Sequence, residues 1–269
     1  MGKPFSPLSV VASATKPLYW FYERRLIRRI REAPVPRHIG VIMDGNRRFA
    51  KAFGIDTKAG HQHGAGKARE LLDWCLEIGI QHVTLWGFSS DNRGRSTEEI
   101  HALHDIFAQQ ARDMLSDKRL HRHRVKVRII GDISDFSHDA QEALREMERA
   151  TETYDNLEVN LALGYGGREE IVDAVRSVVN DELAKGVAPE QLAKAITTDN
   201  ITGALYTAGT PDPDFVIRTS GEVRLSGFLL WQTVYSEYYF CDAYWPDFRR
   251  IDFLRAIRAF QGRQRRFGK

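Results

Sequence analysis

The chain has 269 residues, of which 42% are hydrophobic, 28% charged and 10% aromatic. This composition is typical of a globular protein with a full core, and it excludes disordered, collagen-like and disulfide-stapled chains. The net charge of +3 is unevenly divided, because residues 1–33 carry seven basic and two acidic side chains and residues 249–269 carry eight and one. The residues between them have a net charge of −9, whereas a nucleic-acid-binding protein usually spreads basic charge over its fold, so we expect no nucleic-acid partner.

No stretch of the sequence approaches the roughly 18 apolar residues that a membrane span requires. Residues 1–14 also lack the basic start and continuous apolar run of a signal peptide. The two cysteines, Cys75 and Cys241, are too few for a disulfide framework or a cysteine zinc site. We therefore expect a cytoplasmic protein.

Short apolar segments alternate with amphipathic ones along the chain, and the two periodicities distinguish strands from helices. In chain order the pattern predicts a strand at Ile39–Met43, a helix at His61–Ile78, a strand at His82–Ser89, a helix from Ser96 to about Leu115, a strand at Val125–Ile130, a helix at Ser137–Tyr154, a strand at Leu157–Leu163, a helix at Arg168–Lys185, strands at Phe215–Arg218 and Val234–Cys241, and a helix at Asp252–Gln264.

Strands that alternate with helices imply crossover connections and a mainly parallel sheet covered on both faces. We predict one α/β domain at residues 34–269, with a central sheet of about six strands flanked by helices, preceded by a basic amphipathic extension at residues 1–33. In such sheets the ligand crevice lies at the carboxyl ends of the strands. The residues that follow each strand are therefore the candidates for a functional site.

The segment after the first strand combines Asp44, Gly45, Asn46, Arg47 and Arg48. Glycine lets the backbone approach an anion, arginine pairs with phosphate oxygens, and a carboxylate can hold a magnesium ion that phosphates share. The segment therefore suits a phosphate-bearing ligand. A tight turn with two solvated arginines is the alternative.

The second strand also ends in a polar and basic segment, which comprises Ser89, Ser90, Asp91, Asn92, Arg93 and Arg95. Its hydroxyl, amide and guanidinium groups would face the same crevice. The alternative is an ordinary polar loop before a helix that Ser96 and Glu99 begin as a capping box.

A third set follows the fifth strand, where Arg218, Arg224 and Ser226 could clasp one diphosphate. Glu237 lies in the apolar strand Val234–Cys241, where an unpaired carboxylate would be costly. It is expected either to bind a metal ion or to pair with one of these arginines.

Other kinds of site are disfavoured. The histidine pairs His61 and His63, and His121 and His123, lack the i, i+4 spacing of a helical zinc site. The sequence contains neither a P-loop nor a Gly-x-Gly-x-x-Gly fingerprint. A magnesium phosphatase with an Asp44 nucleophile would need a second aspartate two residues on, where Asn46 stands.

As a set, these motifs resemble the cis-prenyltransferases, or Z-type isoprenyl diphosphate synthases. The blocks that carry the resemblance are His38–Arg48, Gly60-His61 with Gly64, Phe88–Asn92, Val127–Asp132, Gly164–Arg168, the run from Pro213–Arg218 through Trp231-Gln232 to Glu237, and Arg265–Gly268. The resemblance implies condensation of isopentenyl diphosphate with an allylic diphosphate, a new double bond of Z geometry, a requirement for Mg²⁺, and a homodimer with a parallel-sheet α/β fold.

The resemblance also implies residue roles. Asp44 would engage magnesium and the allylic diphosphate, and Glu237 would contribute to the metal site. The allylic diphosphate would be held by Gly45, Asn46, Arg47, Arg48 and His61. Isopentenyl diphosphate would be held by Arg218, Arg224 and Ser226, and Arg265 would reach a diphosphate from the partner subunit. Asn92, with Ser89, would lie near the carbon that loses its proton, and the substrate-binding set is completed by Phe49, Ser90, Asp91, Arg93 and Arg95.

Product length and the role of the amino terminus stay open. Segments 17–26, 210–214 and 225–228 look more like the short-chain, Z-farnesyl branch than the undecaprenyl or decaprenyl enzymes, whereas Gly87 leaves room where a bulky residue narrows the tunnel of that branch. We expect a short or medium product. A non-catalytic subunit of a heteromeric prenyltransferase is the alternative of another class. The amino-terminal helix is expected either to dock on the fold or to lie on a membrane surface near lipid substrates.

Overall fold

The computed structural model describes residues 22–263. Six strands form one sheet in the order β3-β4-β2-β1-β5-β6, and every neighbouring pair is parallel. The strands are β1 (His38–Ile42), β2 (His82–Ser89), β3 (Val125–Ile130), β4 (Leu157–Tyr165), β5 (Phe215–Arg218) and β6 (Glu237–Phe240). The predicted fold class, a six-stranded parallel α/β domain, is confirmed.

Nine α-helices are seen within residues 22–263. They are α1 (22–30), α2 (Asn46–Phe53), α3 (Thr57–Ile78), α4 (Thr97–Ser116), α5 (Lys118–Arg122), α6 (His138–Thr151), α7 (Gly167–Ala184), α8 (Thr198–Ala204) and α9 (Arg250–Gln261). Short 3-10 helices occur at Ser90–Gly94, Pro189–Lys194 and Trp245–Asp247. Within the same residues, no helix is long and apolar enough to cross a membrane.

The register of the central strands brings three chain segments to one edge of the sheet. Ile42 at the end of β1 lies opposite Trp86 of β2 on one side and Arg218 of β5 on the other. Because all three strands run in the same direction, the segments that leave them meet at their carboxyl ends. These are the three segments that the sequence singles out.

The central strands are buried on both faces, as a parallel sheet between helices requires. Every residue of β1 and of β5 is buried. Helix α1 joins the same core, since Leu26 and Ile27 are buried and Ile30 is fully so. Gln261 of α9 donates to the carbonyl oxygen of Ile30 at 2.8 Å. The described part of the amino-terminal segment is therefore docked on the fold.

Helices α2, α5 and α8 and the last strand differ from the prediction. Helix α2 was not predicted, because its polar beginning suggested a ligand loop. The last strand is shorter than Val234–Cys241, since Val234 and Tyr235 lie in a turn and are 69% and 77% exposed. Turn hydrogen bonds hold this segment, including one from the Ser236 amide to the Thr233 carbonyl at 3.1 Å.

Candidate active site

Helix α2 begins directly after β1 and points its amino terminus at the edge of the sheet. Gly45 precedes it with φ of 110°, a left-handed conformation that a residue with a Cβ adopts only under strain. Among the described residues, no side chain caps this end of the helix. The first amides of a helix lack intrahelical acceptors and form the positive end of the helix dipole. The backbone N–H groups of Asn46, Arg47 and Arg48 are therefore donors suited to an anion.

Glycines of α3 allow α2 to approach closely. A Cβ at Gly60 would lie 2.7 Å from the carbonyl oxygen of Asn46, and a Cβ at Gly64 would overlap the Asn46 side-chain oxygen. The indole of Trp245 also donates to the carbonyl oxygen of Gly64, at 2.8 Å. These contacts fix the beginning of α2 against a buried part of the fold.

Asp44 lies between two arginines at the end of β1. Arg218 Nη2 donates to Asp44 Oδ2 at 2.9 Å, and Arg48 Nη2 lies 3.1 Å from Asp44 Oδ1. Burial alone would raise the pKa of Asp44, but hydrogen bonds from Arg218, Ser220 and Arg48 outweigh it and hold that pKa below its usual range. Asp44 is therefore ionised at neutral pH.

Arg218 is the buried cation of this group. Its side chain is 5% exposed, and its Nη1 donates to Ser226 Oγ at 2.9 Å and to the carbonyl oxygen of Arg224. Ser226 has φ of 52°, so the loop that carries it follows an unusual backbone path. Arg218 thus fixes the loop and Asp44 relative to each other.

A second charged group lies across the crevice and is centred on Glu99 near the start of α4. Arg95 Nη1 donates to Glu99 Oε1 at 2.9 Å, and His61 Nε2 is 3.3 Å from the same oxygen. Arg47 Nε lies 3.8 Å from it. Burial lowers the pKa of His61, and the hydrogen bond to Glu99 opposes that shift only in part.

A cavity of about 690 Å³ lies between these two groups. The predicted site residues that line it are Asp44, Gly45, Asn46, Arg47, Arg48, His61, Ser89, Asp91, Asn92, Arg95, Arg218 and Ser226. The structure therefore brings together residues from the ends of β1, β2 and β5. Lys51 also lines the cavity and was not predicted. Lys51 is four residues after Arg47, so the two side chains lie on the same face of a helix. The sequence could have indicated Lys51 only if α2 had been predicted.

Other predicted residues lie outside this cavity. The ring of Phe49 packs on that of Phe53 with centroids 4.5 Å apart, and Arg93 pairs with Asp132 at 2.7 Å and with Asp135 at 3.1 Å.

Ser90 and Arg224 also lie away from the cavity lining. Ser90 lines two neighbouring cavities beside Gly166 and Arg168. Arg224 pairs with Glu222 at 2.5 Å, and its side chain is 61% exposed. In this chain Arg224 therefore contributes its carbonyl oxygen to Arg218, while its own charge faces outward.

Glu237 lies at the other end of the sheet from Asp44. It stands opposite Phe215, the first residue of β5, so about three residues, or about 10 Å, separate it from the carboxyl ends of the strands. Its carboxylate is part-exposed and pairs with Arg263 at 2.6 Å. Glu237 is therefore only partly buried, and it pairs with Arg263 instead of Arg218 or Arg224, so the expected pairing with one of those two arginines is not seen within residues 22–263. It also lies away from Asp44 in the same chain, and its contribution to a metal site stays a prediction. Arg265 lies outside the described residues.

The apolar part of the cavity is formed by Met43, Trp86, Gly87 and Phe88. Trp86 stacks on Phe228 with ring centroids 5.3 Å apart, and Phe88 is 2% exposed. The site thus combines a basic, hydrogen-bonding mouth with an apolar wall. Such a site can bind an anionic group attached to a hydrocarbon and keep water from the hydrocarbon.

Comparisons with known proteins agree with this geometry. The model of the Prenyltransf family, described as undecaprenyl diphosphate synthase, matches residues 42–268. An isoprenyl transferase of Thermus thermophilus is 52% identical over 255 residues, which cover 95% of this chain and 97% of the relative. The (2Z,6E)-farnesyl diphosphate synthase of Thermobifida fusca is 51% identical over 94% of this chain and 97% of its own.

Matches of lower sequence identity are also named as prenyl diphosphate synthases. A tritrans,polycis-undecaprenyl-diphosphate synthase of Methanopyrus kandleri, described as geranylgeranyl-diphosphate specific, is 43% identical over 96% of this chain and 94% of its own. The crystal structure of lavandulyl diphosphate synthase from Lavandula x intermedia, solved with dimethylallyl diphosphate, has a TM-score of 0.79. It is 30% identical, covering 87% of this chain and 99% of its own. Because the family model and close relatives span nearly the whole chain, this chain is a prenyltransferase and belongs to the undecaprenyl diphosphate synthase family of cis-prenyltransferases.

Proposed function

We propose that the enzyme condenses isopentenyl diphosphate with an allylic diphosphate and forms a double bond of Z geometry. The bond from the allylic carbon to the diphosphate oxygen breaks, and its electron pair leaves with the diphosphate. The isopentenyl double bond supplies the electrons of the new carbon–carbon bond, and one proton is lost from the isopentenyl unit. The observation that supports this proposal most directly is the convergence of cations beside an apolar wall in one cavity.

We propose that the cavity holds two diphosphate subsites. We assign the allylic diphosphate to the amino terminus of α2 with Arg47, Arg48 and His61, where donors converge near the first helical amides. We assign isopentenyl diphosphate to Arg218 and Ser226. Negative charge grows on the allylic diphosphate as it leaves, so donors fixed in advance at α2 lower the barrier most.

The residues of the cavity fit a magnesium ion that is held largely by substrate. Magnesium is usually bound through one or two carboxylates together with phosphate oxygens and water. Asp44 provides an ionised carboxylate in the cavity wall, and residues 22–263 contain no cluster of three or more histidine, cysteine or acidic side chains that could hold a metal alone. We therefore propose that Asp44 holds Mg²⁺ with the diphosphate oxygens. The ion would offset the charge of the diphosphate.

A short or medium product, of the Z-farnesyl type, is the chain length that we propose. A Cβ at Gly87 would lie 2.9 Å from Leu163 and 3.7 Å from Met43 and Phe107, so the wall at this point is closely packed. Leu103 and Ile106 of α4 are buried and, within residues 22–263, are not part of the cavity lining. A product of ten or more units would have to displace such residues.

A sizing assay tests activity and length together. The purified enzyme is supplied with Mg²⁺, labelled isopentenyl diphosphate and dimethylallyl, geranyl or E,E-farnesyl diphosphate, and the products are separated by length. We expect chains well below ten units, and longer chains would establish the undecaprenyl or decaprenyl alternative. If the chain alone condenses nothing but gains activity with a second prenyltransferase subunit, the heteromeric alternative is correct.

We also propose a homodimer that forms beside the edge strand β6. The exposed Val234 and Tyr235 are neighbours in the turn that precedes this strand. Large exposed apolar side chains that lie near one another are typical of protein interfaces. The Tyr235→Ser variant is expected to shift the sedimentation coefficient toward that of the monomer, whereas an unchanged dimer would show that the interface lies elsewhere.

Contact with a membrane surface would have to be electrostatic for the described part of α1. Leu26, Ile27 and Ile30 of this helix are buried against the fold. Three arginines of the helix and the one that follows it are exposed, namely Arg25, Arg28, Arg29 and Arg31. We propose that these arginines contact anionic headgroups. Replacing them by glutamine should reduce sedimentation with phosphatidylglycerol vesicles but not with phosphatidylcholine vesicles, and unchanged binding to both would remove this proposal. Cytoplasmic location stays a prediction.

A further inference from the structure

The start of α4 departs from the local pattern that its sequence predicts. Ser96 caps the helix and accepts a hydrogen bond from the Glu99 amide at 3.3 Å. In a complete capping box the glutamate carboxylate returns to the backbone amide of the capping residue. Such a return bond is present in α9, from the Arg249 amide to Asp252 Oδ2 at 3.1 Å, but none is seen for Glu99 within residues 22–263.

The Glu99 carboxylate is instead turned toward three basic side chains from three different elements. Arg47 belongs to α2, His61 belongs to α3, and Arg95 precedes α4. One oxygen, Glu99 Oε1, lies 3.8 Å from Arg47 Nε, 3.3 Å from His61 Nε2 and 2.9 Å from Arg95 Nη1. The Glu99 carboxylate thus contacts side chains of other elements instead of completing the capping box of its own helix. Such a departure from a local sequence pattern is more typical of a functional site than of an ordinary helix start.

Glu99 lies behind these side chains with respect to the cavity. Arg47, His61 and Arg95 line the cavity, whereas Glu99 does not, and its side chain is 15% exposed. A diphosphate that binds to the three basic groups would therefore not need to displace the carboxylate. Glu99 acts on substrate only through its partners.

A carboxylate in this position has two physical effects on the cluster. It offsets the repulsion between two guanidinium groups that would otherwise stand beside each other in a partly buried site. It also holds the side chains in the orientation in which they meet the ligand, so that less conformational entropy is lost on binding. Both effects strengthen binding of a diphosphate, although the carboxylate itself carries negative charge.

We propose that Glu99 is a positioning residue for the allylic diphosphate subsite, where it holds Arg47, His61 and Arg95 from behind. This inference rests on the proposed function and on the assignment of that subsite to α2 and His61. The two side chains assigned to isopentenyl diphosphate, Arg218 and Ser226, are hydrogen-bonded to each other, and Arg218 is paired with Asp44 instead of Glu99. Loss of the Glu99 charge should therefore affect one substrate and spare the other.

The test compares Glu99→Gln with Glu98→Gln, a matched control in the same turn of the same helix. Glu98 is exposed, and it is not among the described residues that line the cavity. In Glu99→Gln we expect the KM for geranyl diphosphate to rise about tenfold, as loss of a charge-assisted hydrogen bond predicts, with the KM for isopentenyl diphosphate changed less than about twofold. Glu98→Gln should leave both KM values unchanged, and Glu99→Asp should lie between wild type and Glu99→Gln.

A binding measurement tests the role of Glu99 even if the enzyme shows no condensation activity. The Kd for an S-thiolo analogue of geranyl diphosphate, in which sulfur replaces the bridging oxygen, is measured by calorimetry and should rise about tenfold in Glu99→Gln alone. Wild-type enzyme that condenses nothing would refute the proposed function, while the Kd comparison would still test Glu99. An unchanged or lower Kd in Glu99→Gln, or an equal rise in both KM values, would overturn the positioning role. Thermal unfolding of each variant shows whether it is folded in these assays.

Discussion

Replacing Arg218 by lysine keeps the positive charge at the end of β5 but removes the forked guanidinium. In the wild-type chain that group donates to Asp44 Oδ2 at 2.9 Å, to Ser226 Oγ at 2.9 Å and to the carbonyl oxygen of Arg224. A lysine ammonium has one nitrogen and can remain beside Asp44, but it cannot also span the distance to the loop. The loop that carries Ser226 would lose its link to the sheet.

The size of the effect follows from the bonds that are lost. Two hydrogen bonds from a charged donor disappear, and such bonds contribute about 1.5–3 kcal/mol each. Because the Ser226 hydroxyl and the Arg224 carbonyl can bind water in the open loop, the lower end of this range applies and the total is about 3 kcal/mol. Every 1.4 kcal/mol corresponds to a factor of ten, so kcat/KM for isopentenyl diphosphate should fall about 100-fold.

The assay measures initial rates of condensation with isopentenyl diphosphate varied and the allylic diphosphate held at saturation. Arg128→Lys is a matched control, because Arg128 lies on β3 at the far edge of the sheet and pairs with Glu158 at 3.3 Å. That variant should retain the wild-type kcat/KM. A value for Arg218→Lys within threefold of wild type, or a loss that falls on the allylic substrate instead, would refute the assignment of Arg218.

Two further predictions concern the packing and charge of the site. Gly64→Ala should destabilise the fold by about 2 kcal/mol and reduce condensation, because the new Cβ would overlap the Asn46 side chain. Gly66→Ala in the same helix is the control. Its Cβ would meet none of the described atoms within 4 Å, so this variant should stabilise the fold by up to about 1 kcal/mol. Urea unfolding of both variants checks this, and equal stabilities would contradict it. The pKa of Asp44 lies below its usual range in the folded chain, so its ion pairs contribute stability above the pKa of an unfolded aspartate, about 3.9, and this contribution is lost as the pH falls through the folded value. Unfolding free energies measured between about pH 2 and 6 should therefore fall less steeply for Asp44→Asn than for wild type, and parallel curves would show that Asp44 is not stabilised by these pairs.

Local pattern was sufficient to predict the strands and the edge of the sheet that holds the site. Strand exits can be recognised from apolar runs followed by polar residues, and Asp44, Asn92 and Arg218 were found in this way. Which strands lie next to each other was harder to predict from the sequence, because strand order depends on crossovers between distant parts of the chain. The structure places β1 between β2 and β5, and this order brings the three exits together.

What the sequence could not predict depends on contacts between distant residues. Helix α2 is stabilised against Gly60 and Gly64 of α3, and no local pattern reveals that contact. Arg93 lies in the same polar segment as Asn92 and Arg95, which line the cavity, but its side chain pairs with the acidic residues that follow β3 and points away from the cavity. Glu237 looked buried because apolar residues surround it in sequence, but the strand begins only at Glu237 and lies at the edge of the sheet.

We propose that prenyl transfer takes place in the cavity around Asp44, so the rate of condensation should depend on the charge of this residue, which the Asp44→Asn variant removes. This variant keeps the size of the side chain but removes the charge that pairs with Arg218 and Arg48 and that we propose holds Mg²⁺. Condensation of labelled isopentenyl diphosphate with geranyl diphosphate is measured for both proteins at saturating substrates and Mg²⁺, with folding checked by circular dichroism. We predict that wild type forms Z-prenyl diphosphate and that the variant, although folded, is slower by about 1000-fold or more. A folded Asp44→Asn enzyme with turnover within tenfold of wild type would contradict the account.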